Sequence, residues 1–177
     1  YHKVTGVQTC ALPIFSIHRG FFIMQLLKIY YAYFSPGNTT EKVVSHIASS
    51  FQNYPVESIN LTDYATRQED YYFKENELLI IGVPAYGGRV PAPVVDALRH
   101  FTGSNTPVVL VATYGNRDID DTLIELKKNV IDKGFIPVGA ASFVCQHTFL
   151  KECAEGRPDE EDLKMAGEFG DKLKERL

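Results

Sequence analysis

Leu26-Leu27-Lys28-Ile29-Tyr30-Tyr31-Ala32-Tyr33-Phe34 leads into Ser35-Pro36-Gly37-Asn38-Thr39-Thr40, then into Glu41-Lys42-Val43-Val44-Ser45-His46-Ile47-Ala48. The first stretch is rich in β-branched and aromatic residues and ends at Pro/Gly, which predicts a buried strand. The third places its apolar residues at helical spacing. Between them lies a short loop of hydroxyls and glycine. A strand, such a loop and a helix together can hold a phosphate: backbone N–H groups face the anion, glycine permits close approach, and hydroxyls add donors. The same residues also make an ordinary turn in which a Thr caps the helix. The loop alone leaves both readings open.

From Leu26 onward the pattern alternates. A first helix is expected over about 41–52 and a short strand over Val56–Leu61 after Pro55. Residues 62–76 are polar and tyrosine-rich, with Asp63 a candidate helix cap. Leu78–Val83 is a continuous apolar strand ended by Pro84, and Pro91–Phe101 predicts a helix with its prolines in the first turn. Pro107–Thr113 is the next strand; a helix over about Ile119–Lys133 stops at Gly134, and Ile136–Val144 forms a fifth strand. Asp159-Glu160-Glu161-Asp162 opens a last helix with an acidic cap and first turn. Strands that are apolar throughout are buried on both faces, as in a parallel sheet covered by helices. The expected fold is α/β, doubly wound, with five parallel strands in the order 2-1-3-4-5 and helices on both faces.

Composition narrows the function. The 177 residues suit one domain with a full core. A hydrophobic fraction of 45% and a charged fraction of 23% are those of a globular protein, and no apolar run reaches the ~20 residues of a membrane span. A net charge of −4 without basic stripes argues against nucleic acid and suits a basic patch on a protein partner. Cys10, Cys145 and Cys153 are an odd number without a C-x-x-C pair, so they build neither a zinc site nor an iron–sulfur cluster. Reduced thiols fit a cytoplasmic protein.

The N-terminus does not share this pattern. Val4-Thr5-Gly6-Val7-Gln8-Thr9-Cys10-Ala11-Leu12-Pro13-Ile14 resembles the in-frame translation of a common sequencing adapter. A signal peptide is the rival, but Phe21-Phe22-Ile23 is too short for its apolar core. Residues 1–23 are therefore expected to be a non-native leader, with the domain running over 24–177 from Met24. Without Lys3 and Arg19 the domain carries 16 basic against 22 acidic residues, a net of −6.

In an open α/β sheet, ligands bind beyond the carboxyl ends of the strands at the switch point. Three unusual loops should meet there: Ser35–Thr40, then Pro84-Ala85-Tyr86-Gly87-Gly88-Arg89-Val90-Pro91, then Thr113-Tyr114-Gly115-Asn116-Arg117-Asp118. Two aromatics beside a phosphate loop suit a planar ring with a phosphate tail.

These loops carry a resemblance. Phe34-Ser35-Pro36 with Thr39-Thr40-Glu41-Lys42-Val43, Gly82–Pro91, Ala112-Thr113-Tyr114-Gly115-Asn116-Arg117 and Gly156-Arg157-Pro158-Asp159 resemble a flavodoxin-family FMN-binding domain. More narrowly, they are similar to the flavodoxin module fused to a bacterial-type ferredoxin in anaerobic bacteria. The first loop departs from the commoner S/T-x-T-G-x-T pattern, with Gly37 where Thr is usual and Asn38 where Gly is usual. Asn tolerates positive φ better than most residues, which still permits closure around a phosphate.

The resemblance implies FMN as cofactor and electron transfer as function. Ser35, Gly37, Asn38, Thr39 and Thr40 would then bind the phosphate. Pro84, Ala85, Tyr86, Gly87 and Gly88, with Thr113, Tyr114, Gly115, Asn116 and Arg117, would hold the flavin. Tyr86 and Tyr114 would flank its ring, and the Gly87-Gly88 backbone is the candidate partner for flavin N5. No catalytic or metal-ligating residue is expected. Arg89 and Arg117 could approach the cofactor, receive a partner's carboxylates or simply be exposed. His147 follows the fifth strand on the same edge; Cys145 and Cys153 read as incidental thiols. The expected partner is a redox protein of ferredoxin type, encoded downstream of Leu177, where the pattern stops in mid-helix. The alternatives are an NAD(P)H-dependent FMN or quinone reductase and a cofactor-free interaction module. A receiver-type domain is disfavoured, because the first strand ends in Phe34-Ser35 without an acidic pair.

Overall fold

The computed structural model describes residues 25–177. The leader reading for residues 1–23, the start at Met24 and Cys10 lie outside the described residues.

Five parallel strands form the main sheet: β1 (Lys28–Tyr33), β2 (Val56–Asn60), β4 (Glu77–Pro84), β6 (Thr106–Tyr114) and β7 (Phe135–Val144). Two further strands, β3 (Tyr71–Phe73) and β5 (Phe101–Gly103), pair only with each other. The order in the main sheet is β2-β1-β4-β6-β7. Relabelled by the five sheet members alone this reads 2-1-3-4-5; β3 and β5 are additional to the five strands expected from the sequence. β4 and β6 are buried along all but their last residue, which is what their unbroken apolar runs require.

Alternate residues of these strands feed two cores. Leu78, Ile80, Val109 and Val111 pack with Val43, Val44 and Ile47 of α1 (Thr39–Ser49) and with Ala166 and Leu173 of α4 (Glu160–Lys174). Leu79, Ile81, Val108 and Leu110 pack with Val94 and Ala97 of α2 (Ala92–Ala97) and with Leu126 and Val130 of α3 (Thr122–Ile131). The period-2 alternation of side chains thus sends α1 and α4 to one face and α2 and α3 to the other.

Helix bounds differ from expectation in informative ways. The helix expected over Pro91–Phe101 covers six residues, then becomes a 3-10 turn at Leu98–His100, and Phe101 starts β5. Tertiary packing decides this: the Phe101 ring sits 5.1 Å from Tyr71 and 5.3 Å from Phe73, and Phe73 sits 5.3 Å from Phe135. Asp63 caps a 3-10 turn rather than a helix, its carboxylate accepting both the Thr66 N–H and hydroxyl at 2.9 Å. Asp159 and Asp162 form a reciprocal capping box at α4, each accepting the other's backbone N–H at 3.0 Å. α4 ends at Lys174 instead of running on through Leu177. Among the described residues, no helix is long and apolar enough to cross a membrane.

Candidate functional site

Parallel pairing lines up the C-terminal ends of β1, β4, β6 and β7, and backbone bonds carry that alignment into the loops. Phe34 N–H donates to Gly82 (3.1 Å), Ala85 N–H to Thr113 (2.7 Å) and Cys145 N–H to Tyr114 (2.8 Å). Beyond these ends lies a crevice of about 330 Å³, near the lower end of the ~300–1,000 Å³ usual for small-ligand sites. Thr39, Pro84, Ala85, Tyr86, Gly87, Thr113, Tyr114 and Gly115 line it. Ser35, Gly37, Asn38, Thr40, Gly88, Asn116 and Arg117 do not.

The first loop divides its hydroxyls between tasks. The Ser35 hydroxyl oxygen, buried, accepts the Glu41 N–H at 3.0 Å and so caps α1. Asn38 stands at the N-cap with φ 59°, yet its side chain makes no capping bond. The capping role is thus filled, but by Ser35 and not by a Thr. Thr40 is buried with its hydroxyl 2.7 Å from that of Thr113, which ties α1 to β6 and turns it away from a ligand. Thr39 alone of the three lines the crevice. As the first residues of the helix, Thr39 and Thr40 have N–H groups without intrahelical acceptors, at the positive end of the helix dipole.

The second loop is a tight turn. Tyr86 and Arg89 exchange backbone bonds of 3.0 and 3.2 Å, with φ of 59° at Gly87 and 76° at Gly88, a type I′ geometry that suits Gly-Gly. The turn fixes Tyr86, whose ring lies edge-on to Phe34 at 6.4 Å and 80°. Nothing lies within 4 Å of where a Gly87 side chain would start, so the backbone is open to a close approach. The Gly88 carbonyl is held by the Asp121 N–H at 3.0 Å, which leaves the Gly87–Gly88 peptide as the one able to reorient.

Neither loop arginine lines the crevice. The Arg89 guanidinium makes two 2.9 Å bonds to Glu125 and holds that carboxyl below its usual range. Arg117 pairs with Asp120 on the surface.

A fourth loop, after β7, completes the wall with Cys145, Gln146, His147, Thr148 and Phe149. Of these, only His147 was expected on this edge from the sequence. The fifth strand's own carboxyl end was the signal for the rest. His147 Nδ1 accepts the N–H of Phe149 (3.1 Å) and of Leu150 (3.0 Å), which puts the proton of the neutral ring on Nε2. Its ring lies against Gly115, where a Cβ would fall 2.5 Å from Cδ2. Cys145 is buried, and burial, with Asp162 nearby, pushes its thiol up to about 12, so the crevice floor is uncharged. Burial also raises the Tyr114 phenol. Phe149, 81% exposed, stands at the rim. Among the described residues no three His, Cys, Asp or Glu gather to hold a metal.

Solved structures give this arrangement its context. A flavodoxin from the domain Archaea matches with a TM-score of 0.61 at 14% identity, over 85% of this chain and 98% of that one. Oxidised flavodoxin 2 from Bacillus cereus matches at 0.59 and 15% identity, over 85% and 99%. The fold is that of the flavodoxins. The rubredoxin oxygen:oxidoreductase of the anaerobe Desulfovibrio gigas matches at 0.59 and 15% identity over 86% of this chain but 38% of its own, so the flavodoxin-like fold forms part of that larger protein. No protein-family model and no curated protein sequence matches the chain.

Proposed function

We propose that this chain is an FMN-binding electron-transfer domain. The observation that carries the reading is the meeting of Thr39, Tyr86, Gly87 and Tyr114 in one crevice beside the free N–H groups of α1. The donor set fits the group: neutral donors at a helix N-terminus suit a phosphate monoester, and two half-buried tyrosines suit a planar ring. The flavodoxin fold of the solved neighbours supports the same reading.

FMN, when bound, supplies the redox chemistry. The chain's own residues do the rest. Thr39 and the N–H groups of Thr39 and Thr40 would hold the phosphate, while Ser35 and the Thr40–Thr113 pair keep the helix end in place. Tyr86 and Tyr114 would flank the ring and exclude water. The Gly87–Gly88 peptide is free to turn its carbonyl toward the ring edge, because both glycines permit the change. The net negative charge of the chain would disfavour added negative charge on the ring, lowering its potential. The partner we propose is a ferredoxin-type redox protein, and the setting the cytoplasm of an anaerobic bacterium.

Titration of the purified protein with FMN, followed by flavin fluorescence and visible absorbance, tests the reading. Saturable binding with quenching is expected; a protein that stays colourless with excess FMN overturns it. Stopped-flow mixing of the FMN-loaded protein with NADPH then distinguishes a carrier from a reductase, since rapid bleaching without a mediator would mark a reductase.

A further inference from the structure

We infer that Thr148, on the loop after β7, is a phosphate-binding residue that closes the anion end of the crevice from the side opposite the Ser35–Thr40 loop. The inference rests on the flavin reading above and adds to it a residue from a fourth strand end.

Three observations carry it. First, the Ser35–Thr40 loop presents fewer hydroxyls than its sequence offers. Ser35 oxygen is bonded to the Glu41 N–H, and Thr40 is buried against Thr113. Thr39 remains, and its hydroxyl also faces the Cys145 thiol. A phosphate monoester carries about two charges and three strong acceptor oxygens, more than one hydroxyl and two N–H groups satisfy.

Second, Thr148 stands where another donor is needed. It lines the same crevice as Thr39, and its Oγ1 lies 3.9 Å from where a side chain on Gly37 would begin. Gly37 leaves the space open, and Thr148 supplies the hydroxyl across it.

Third, the loop around Thr148 is held on both sides. Before it, Gln146 N–H donates to Arg157 at 2.8 Å and His147 N–H to Cys153 at 3.0 Å. After it, the N–H groups of Phe149 and Leu150 both donate to His147 Nδ1. The Gln146 side-chain amide donates to Lys151 at 2.9 Å. An exposed threonine so framed has a fixed backbone and a free hydroxyl. His147 acts through this frame, as a positioning residue.

The test compares FMN with riboflavin, which has the ring and ribityl chain but no phosphate. Dissociation constants for both are measured on the full chain and on Thr148→Val, Thr148→Ala and Thr148→Ser, with thermal melts to verify folding. Thr148→Val and Thr148→Ala should weaken FMN about tenfold or more, as loss of a hydrogen bond to a charged group does, and leave riboflavin within about twofold. Thr148→Ser should retain FMN affinity. Unchanged FMN affinity in Thr148→Val overturns the assignment, and so does equal weakening of FMN and riboflavin, which would mean that Thr148 shapes the wall without meeting the phosphate. A wild-type chain that binds neither ligand overturns the flavin reading itself, and this inference with it.

Discussion

Replacing Gly88 by alanine should cost far more stability than replacing its neighbour Gly87, although both glycines sit at positive φ in the same turn. The shared cost is conformational: φ is 59° at Gly87 and 76° at Gly88, and an alanine in the left-handed region costs about 1–2 kcal/mol. The difference is steric. A Cβ on Gly87 meets nothing within 4 Å, whereas on Gly88 it would lie 2.4 Å from Asp120 Oδ2, 2.5 Å from its Cβ and 2.8 Å from its Cγ. Because Asp120 Cβ itself is in the way, rotating that side chain cannot clear the clash, so the backbone must shift. Overpacking of that kind adds about 1–3 kcal/mol. Gly88→Ala should therefore lose about 2–5 kcal/mol in total, against about 1–2 for Gly87→Ala. In urea melts, at ~1–3 kcal/mol per M, the two midpoints should separate by about 1 M.

Asp120→Gly supplies the control, because it removes the obstructing Cβ at a residue whose own φ is 41°. It also removes the exposed Arg117 pair, worth at most about 1 kcal/mol. In a double-mutant cycle the steric part of the Gly88→Ala cost should disappear in the Asp120→Gly background. Equal midpoints for the two alanine variants, or additivity with Asp120→Gly, would refute the reasoning. Ligand binding should follow a different order: Gly87 lines the crevice, so Gly87→Ala should weaken FMN despite its small cost in stability.

Three other outcomes follow from the site. With burial pushing its thiol up to about 12, Cys145 stays protonated at pH 8 and is closed to solvent, so iodoacetamide should label exposed Cys153 and spare Cys145 in the folded chain, as peptide mapping would show. The Asp162 N–H bonded to Asp159 holds that carboxyl below its usual range, so its contribution is present above the unfolded value of about 3.9 and is lost as pH falls through the folded one; Asp159→Asn keeps a cap that does not titrate, and its stability gap to wild type should narrow below about pH 4 in acid melts. Gly115→Ala would put a Cβ 2.5 Å from His147 Cδ2 and 2.8 Å from its Cβ, costing about 1–3 kcal/mol and weakening FMN by loosening the Thr148 loop.

The parts of the fold legible in the sequence were those written in local pattern. Leu78–Val83 and Pro107–Thr113 are apolar runs too short for helices and too continuous for exposed strands, and they became the two central strands, β4 and β6. β3 and β5 were illegible, because three residues hold no periodicity; Phe101 leaves its helix to join Tyr71 and Phe73, a choice made by residues some thirty positions apart. The candidate site divides in the same way. Tyr86 and Tyr114 could be assigned to one crevice because Tyr-Gly pairs follow adjacent strands. The allocation of hydroxyls could not, because Ser35 capping α1 and Thr40 meeting Thr113 are tertiary facts. Thr148 and Phe149 carry no motif of their own, and only the rule that gathers the other loops, applied to the end of the fifth strand, points to them.

The charges around the crevice explain why its donors are neutral. Each nearby arginine is already committed: Arg89 to Glu125, Arg117 to Asp120, and Arg157 to buried Asp162. Those pairs serve architecture, since Glu125 also accepts the Val90 N–H at 2.9 Å after the Gly-Gly turn and Asp162 closes the α4 capping box. A ligand phosphate drawn to Arg89 or Arg157 would have to displace a carboxylate that accepts three hydrogen bonds, and one drawn to Arg117 would have to displace Asp120. The helix N-terminus and hydroxyls have no such competitor. Their dipoles are fixed by the fold, so they are oriented before a ligand arrives and need little reorganisation to hold it. A phosphate anchored this way would stand beside an uncharged Cys145 thiol. In the proposed complex the tail would therefore meet donors that the fold has already oriented, with no ion pair to break.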